Sequence, residues 1–251
     1  MDLPPDLFYY IAIGFAAQLV DGALGMAYGV IASSLLMGLG VPPAVSSATV
    51  HAAECFSTGA SAISHHTFGN IDKNLFRRLL LPGVLGAGVG AYALASFPGD
   101  SLKPWIAAYL LVVGFIIVLK AFFSDMPPRQ VTSHLAPLGF FGALFDAIGG
   151  GGWGAIVASN LLARGNEFRL TVGSVNAVEF FVTLTASIVF LVTLGLSHWG
   201  MILGLGVGGL AAAPLGAWLV RYVKPKPMLI FVGLLVMALS VRTLLKSAGV
   251  P

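Results

Sequence analysis

The sequence predicts an all-α polytopic membrane protein of two inverted-topology repeats, each a broken-helix hairpin followed by three transmembrane helices. Three observations predict it. Of 251 residues, 57% are hydrophobic and only 9% charged, far from the roughly 25% charged residues of soluble domains. The apolar stretches have the lengths that a hydrocarbon core about 30 Å thick demands of a helix. The chain also repeats itself: adding 125 to the numbering lays Gly14, Phe15, Leu19, Asp21, Gly25, Gly29, Ile31, Ser34 and Leu36 onto identical residues, nine identities in 23 positions. The same offset carries Val50, Ala52, Glu54, Phe56, Thr58 and Ile63 onto identical residues, six in 14, where chance gives about two or three per block.

In chain order, the first apolar stretch covers about 7 to 40 and is interrupted by Asp21-Gly22-Ala23-Leu24-Gly25. Three uninterrupted spans follow, at about 44 to 64, 79 to 98 and 104 to 123. The second interrupted stretch covers about 132 to 163 and breaks at Asp146-Ala147-Ile148 and the four glycines Gly149, Gly150, Gly151 and Gly152. Each glycine costs a helix about 1 kcal/mol relative to alanine. Spans at about 170 to 195, 199 to 220 and 227 to 245 complete the second set. The repeats divide at 1–125 and 126–251 and form one membrane domain. The acidic start, Met1 to Asp6, has no basic region before the first apolar stretch, so neither a cleaved signal peptide nor an appended soluble domain is expected.

Charge placement decides how the broken stretches run. Were each a single crossing, the 13 Lys and Arg would divide almost evenly between the two sides. If each is a hairpin returning to its own side, Lys73, Arg77, Arg78, Lys120, Arg129, Arg164, Arg169, Arg221, Lys224 and Lys226 fall together, leaving Lys103, Arg242 and Lys246 opposite. The bias favours hairpins, with the basic side cytoplasmic and both termini on the non-cytoplasmic side of the cell inner (plasma) membrane. Each half then has an odd number of crossings, so the second copy is upside down relative to the first. Half-helices of about 14 residues reach about 21 Å, which leaves open whether they are re-entrant or cross a thinned region.

Inverted repeats with broken helices are the architecture of secondary transporters, whose substrates bind where the helix ends meet near the midplane. Free amides and positive helix ends at the breaks suit an anion, and make Gly25 and Gly149 to Gly152 substrate-binding candidates. The bland alternative is that glycine only permits close packing, as at Gly86 and Gly90 or Gly204 and Gly208. Tyr28 and Trp153, three residues past Gly25 and Gly150, either flank substrate or pack. On the next helix, Ser47, His51, Glu54 and Thr58 share one face, matched by Asn176, Glu179 and Thr183 in the second copy. Ser47, Thr58, Asn176 and Thr183 are candidate substrate contacts. Intramembrane acids are rare and usually functional, so Asp21, Glu54, Asp146 and Glu179, with His51, are the candidates for proton coupling or gating. Glu54 and Glu179 alternatively brace the hairpins, and Asp21 and Asp146 alternatively cap the following half-helices. The counterpart of His51 is Asn176, which confines any titration there to one half. His65 and His66 sit at a helix end and read as interfacial.

The chain resembles the TauE/SafE sulfite exporter family, also called the toluene sulfonate uptake permeases. The resemblance rests on Gly22-Ala23-Leu24-Gly25, Val41-Pro42-Pro43, the helix with Ser46, Ser47 and Thr49, Gly69-Asn70-Ile71-Asp72, and the second copy from Gly139 through Glu179. It implies a secondary transporter, often an exporter, of small sulfur-containing anions such as sulfite or organosulfonates. The first copy departs from the pattern: Gly25-Met26-Ala27-Tyr28 replaces a denser glycine run, and Asp21 and His51 are added.

An anion path lined by four acids is self-consistent if Glu54 and Glu179 are neutral while the anion is bound, which couples anion and proton movement. Three rivals remain. A membrane enzyme using His51 and Glu54 as metal ligands lacks further histidines deep in a span. A passive anion channel needs the same lining. A cation or metal-ion transporter takes the four acids as oxygen ligands. No enzyme activity, metal site, cofactor or nucleic-acid partner is expected. Cys55 is the one cysteine and forms no internal disulfide. The expected partners are the small anion and the lipid bilayer, and oligomeric state is left open.

Overall fold

A computed structural model describes residues 7–97, 99–122, 133–195, 198–222 and 224–248. The boundary between the repeats, the acidic start and Arg129 lie outside the described residues. Among the described residues there are ten helices and no strand: α1 (Leu7–Leu24), α2 (Tyr28–Gly38), α3 (Pro43–Thr67), α4 (Lys73–Ser96), α5 (Gly99–Lys120), α6 (Leu135–Gly149), α7 (Trp153–Ala163), α8 (Phe168–Thr193), α9 (Trp199–Leu219) and α10 (Pro225–Ser247). Both interrupted stretches break where the acids and glycines stand.

Six helices are long and apolar enough to cross a membrane: α1, α4, α5, α8, α9 and α10. The set differs from the sequence expectation at two helices. α1 runs 18 residues before its break, about 27 Å at 1.5 Å per residue, so it is long enough by itself. α3 has 25 residues, about 37 Å, but trades apolar content for a polar face that is buried inside the protein. The half-helices are unequal, 18 and 11 residues in the first hairpin and 15 and 11 in the second.

Helix directions follow from which residues meet. Gly14 and Gly22 of α1 lie against Leu205 and Gly216 of α9. Phe56 and Ser57 of α3 lie against Gly206 and Gly209 of the same helix. α1 and α3 therefore both run with α9, so α2 runs back between them and the first stretch is a hairpin. The second half does the same. Gly86 and Gly90 of α4 meet Phe140 and Leu144 of α6, while Gly83 and Gly88 meet Val182 and Thr185 of α8, so α7 runs back between α6 and α8. By contrast α3 and α8 are antiparallel, pairing His51 with Phe190, Thr58 with Thr183 and Gly59 with Phe180.

The closest packing is backbone on backbone. A Cβ on Gly208 would overlap the Ile11 carbonyl, one on Gly86 the Phe140 carbonyl, and one on Gly90 the Leu144 carbonyl; on Gly204 it would collide with Tyr10. These glycines pack α1 on α9 and α6 on α4, the small-residue seam that membrane helices use. Arg221 donates to the Phe68 carbonyl at 2.7 Å, placing the α9–α10 turn beside the α3–α4 turn. Lys246 donates to the Gly38 carbonyl at 3.4 Å, so α10 ends on the side where α2 ends and α1 begins.

Candidate functional site

The two hairpins pass each other in the middle of the molecule, and glycine permits it. Gly25, Gly150, Gly151 and Gly152 have φ of 71°, 72°, 155° and 139°, as does one alanine, Ala27, at 98°, conformations in which only glycine is unstrained. A Cβ on Gly151 would overlap the Gly29 backbone, and one on Gly154 would overlap Gly25 and Met26. Each tip therefore lies against the first turn of the other hairpin's returning helix. Ser33 donates to the Gly150 carbonyl across this crossing.

The acids gather around it. Asp21, Glu54, Asp146 and Glu179 are all buried, at most 4% exposed, and near enough for each to feel the charge of the others. Two of them, Asp146 and Glu54, stand at the helix starts that the sequence offers to an anion. Asp146 Oδ1 accepts the Trp153 backbone N–H at 2.9 Å and so caps α7. The Tyr28 amide at the start of α2 faces Asp21 in the same sense, outside hydrogen-bonding geometry, and the Glu54 carboxyl faces the Gly29 amide.

Behind each aspartate stands a residue from the long helix of the opposite repeat, and here the two sides differ. His51 Nε2 lies 3.1 Å from Asp146 Oδ2 while its Nδ1 lies 2.8 Å from the Ser47 carbonyl. Ser47 Oγ donates to the Ala147 carbonyl at 2.7 Å, a second tie from α3 to the tip of α6. At the first hairpin the amide of Asn176, with its nitrogen toward the acids, donates to Asp21 Oδ2 at 2.7 Å and to Glu179 Oε2 at 3.2 Å. Its oxygen then faces His65 Nε2, 3.5 Å away, and Asn70 holds His65 Nδ1 at 3.1 Å.

Thr58 donates to the Glu54 carbonyl at 2.5 Å and stands 3.3 Å from Thr183 at the α3–α8 crossing. Tyr28 and Trp153 are fully buried, and their polar atoms are committed to helix carbonyls: Tyr28 to Leu205 at 3.1 Å and Trp153 Nε1 to Val175 at 3.1 Å. Both rings thus pack the start of a half-helix onto a long one. Gly149 and Gly152 pack on the Tyr109 ring, whose hydroxyl donates to the Gly151 carbonyl at 3.2 Å. Gly25 lies against Val172.

Three groups were not singled out in the sequence. His65 reads there as interfacial; it is completely buried beside Asn176, and only His66 is exposed. The stripe of α3 continues from Thr58 through Ser61 to His65 at steps of three and four, which is the signal that places it. Tyr109 lies in a run of α5, residues 104–119, that is otherwise uniformly apolar. Ser34 and Ser159, one of the aligned pairs, are buried with no hydrogen-bond partner among the described residues, as is the Gln18 amide. These are polar groups with bonding capacity to spare. No three His, Cys, Asp or Glu side chains come together as a metal-ligand set among the described residues.

Comparison with known proteins finds membrane transporters. The chain is 41% identical over 249 residues to a probable membrane transporter protein, YtnM, of Bacillus subtilis (strain 168), covering 95% of this chain and 83% of that one. It is 26% identical to the probable membrane transporter protein ORF9 of Sinorhizobium sp., covering 94% and 91%. A shorter match, 32% identical over 115 residues, joins 46% of this chain to 22% of sulfite exporter TauE/SafE family protein 3 of Arabidopsis thaliana. Residues 10–243 match the family described as sulfite exporter TauE/SafE, and the chain is a multi-pass membrane protein belonging to that family of transporters.

Proposed function

We propose that this protein is a secondary active exporter of a small sulfur-containing anion, sulfite or an organosulfonate, coupled to protons, working by alternating access about the hairpin crossing. The observation that carries the proposal is the occupancy of the half-helix starts by the protein's own carboxyls. A helix N-terminus favours an anion. Here Asp146 supplies it to α7, with Glu54 beside the start of α2. A substrate anion and a carboxylate compete for the same amides. Four ionised carboxyls in one apolar volume are also mutually unfavourable. An anion that arrives as a carboxyl takes a proton resolves both conflicts, and coupling follows from that competition. Ser34, Ser159 and Gln18 have hydrogen-bonding capacity left for such a substrate.

The inverted arrangement of 1–125 and 126–251 is supported by the α3–α8 contact. Thr58 and Thr183 meet, are related by the 125-residue offset, and lie on antiparallel helices. A two-fold axis through that contact runs across the helices and so in the membrane plane. Nine of the ten basic residues that fall together, Arg129 aside, lie among the described residues on the side of the α3–α4 and α9–α10 turns, and they argue that this side is cytoplasmic, with both termini outside the plasma membrane.

The test is sulfite flux in proteoliposomes with voltage clamped and a pH gradient imposed in each direction. Accumulation of sulfite against its gradient supports the proposal. Sulfite flux indifferent to the pH gradient replaces it with a passive channel. Flux of a divalent cation with no anion moving replaces it with a cation transporter that uses the four acids.

A further inference from the structure

We infer that the coupling proton is held between His51 and Asp146, so that the second hairpin is tied to a base that titrates while the first is tied to an amide that does not. The inference rests on the proposed proton-coupled transport and names its proton site. The geometry fixes the proton. A carbonyl only accepts, so His51 Nδ1, 2.8 Å from the Ser47 carbonyl, carries a hydrogen. Asp146 Oδ1 is committed as acceptor to the Trp153 amide. The remaining close pair, His51 Nε2 and Asp146 Oδ2 at 3.1 Å, is two lone-pair atoms unless one proton lies between them. That proton sits on Nε2 as an imidazolium facing a carboxylate, or on Oδ2 as a carboxylic acid facing a neutral ring; either way the pair holds one. Its loss leaves a lone pair facing a carboxylate, and the pair repels. Hairpin two is then held to α3 only by Ser47 on the Ala147 carbonyl and by packing.

At the first hairpin the equivalent position is Asn176 of the second repeat, whose amide donates to Asp21 and Glu179. An amide does not titrate in the physiological range, so the donor facing Asp21 keeps its hydrogens whatever the pH. His65 lies beyond it, separated from Asp21 by that amide. The ionisable groups around the His51–Asp146 pair are Glu54 on α3, Asp21 on α1, Glu179 on α8, Tyr109 on α5 and Tyr28 on α2, while α9 carries no ionisable side chain. His51 is the base in contact with Asp146; the other basic groups nearby are His65, which lies beyond the Asn176 amide, and Lys120, whose Nζ lies 3.6 Å from Met26 Sδ at the first tip.

The experiment has two readouts on full-length protein. In the first, 15N-histidine NMR in nanodiscs follows the ring nitrogens of His51, assigned by its absence in His51→Asn. The expected result is an Nε2 signal displaced from that of a plain neutral ring and restored to it by Asp146→Asn. A His51 spectrum unmoved by Asp146→Asn overturns the inference. In the second, voltage-clamped flux compares wild type, His51→Asn and Asn176→His. His51→Asn reproduces what the first hairpin already accommodates, and is expected to abolish the response of flux to a pH gradient. Asn176→His is expected to add a second titrating step. A His51→Asn profile superimposed on wild type overturns the inference even if Asn176→His does not fold. A wild-type protein that moves no sulfite defeats the substrate reading alone, since the NMR readout needs no substrate.

Discussion

Asp146 uses its two oxygens for different partners, and the difference sets what each substitution does. One oxygen takes the Trp153 amide and the other faces His51. Glu179 has no such division: it shares the Asn176 amide with Asp21. Glu179→Gln keeps the volume and removes an ionisable carboxyl but places a second amide against the first. We expect proton-driven accumulation to fall by about tenfold or more, in keeping with about 1.5–3 kcal/mol for a hydrogen bond to a charged group. Equilibrium substrate binding should weaken less. A Glu179→Gln protein with unchanged flux and unchanged pH dependence removes Glu179 from the transport cycle and leaves it a brace. Residue identity was largely legible in advance, because a duplicated acid in an apolar helix is a strong signal. What the face of α3 does at its far end was not. His65 lies next to a polar turn, and position alone reads as exposure, whereas the i, i+3, i+4 spacing from Thr58 puts it inside.

At the scale of the element, the two breaks solve one problem with different residues. In the second, Gly150 to Gly152 take the positive φ values that the turn requires; in the first, Gly25 takes one and Ala27 another, at 98°. An alanine there is strained by roughly 1 kcal/mol. Ala27→Gly is therefore expected to raise the thermal midpoint of the purified protein. Gly151→Ala is expected to lower it by the equivalent of about 1–3 kcal/mol, since its Cβ would overlap the Gly29 backbone. Paired melting curves check both, and two shifts of the same sign contradict this account of the crossing. The breaks were visible in sequence because acid and glycine interrupt apolar runs. The length of α1 was not, because helix continues through Gly22 to Leu24, where a glycine beside Asp21 reads as the start of the break. Gly22 instead serves the contact with Gly216, a packing role that only the partner helix reveals.

For the whole molecule, the sequence argued hairpins from the distribution of basic residues, and the helix directions agree for an independent reason. Steric contacts with α9 make α1 and α3 parallel, which no count of charges enforces. The two lines of argument share one consequence: the α9–α10 turn and the end of α10 lie on opposite sides of the membrane. Lys224 and Ala248 mark those two places, and both are exposed. In a Cys55→Ser background, a cysteine at 248 is expected to react with a membrane-impermeant maleimide added to intact cells. A cysteine at 224 is expected to react only after the membrane is opened. The opposite pattern reverses the orientation while leaving the hairpins intact, because both sites exchange sides together. Labelling of both from outside places an even number of crossings between them and so contradicts a membrane crossing by α10.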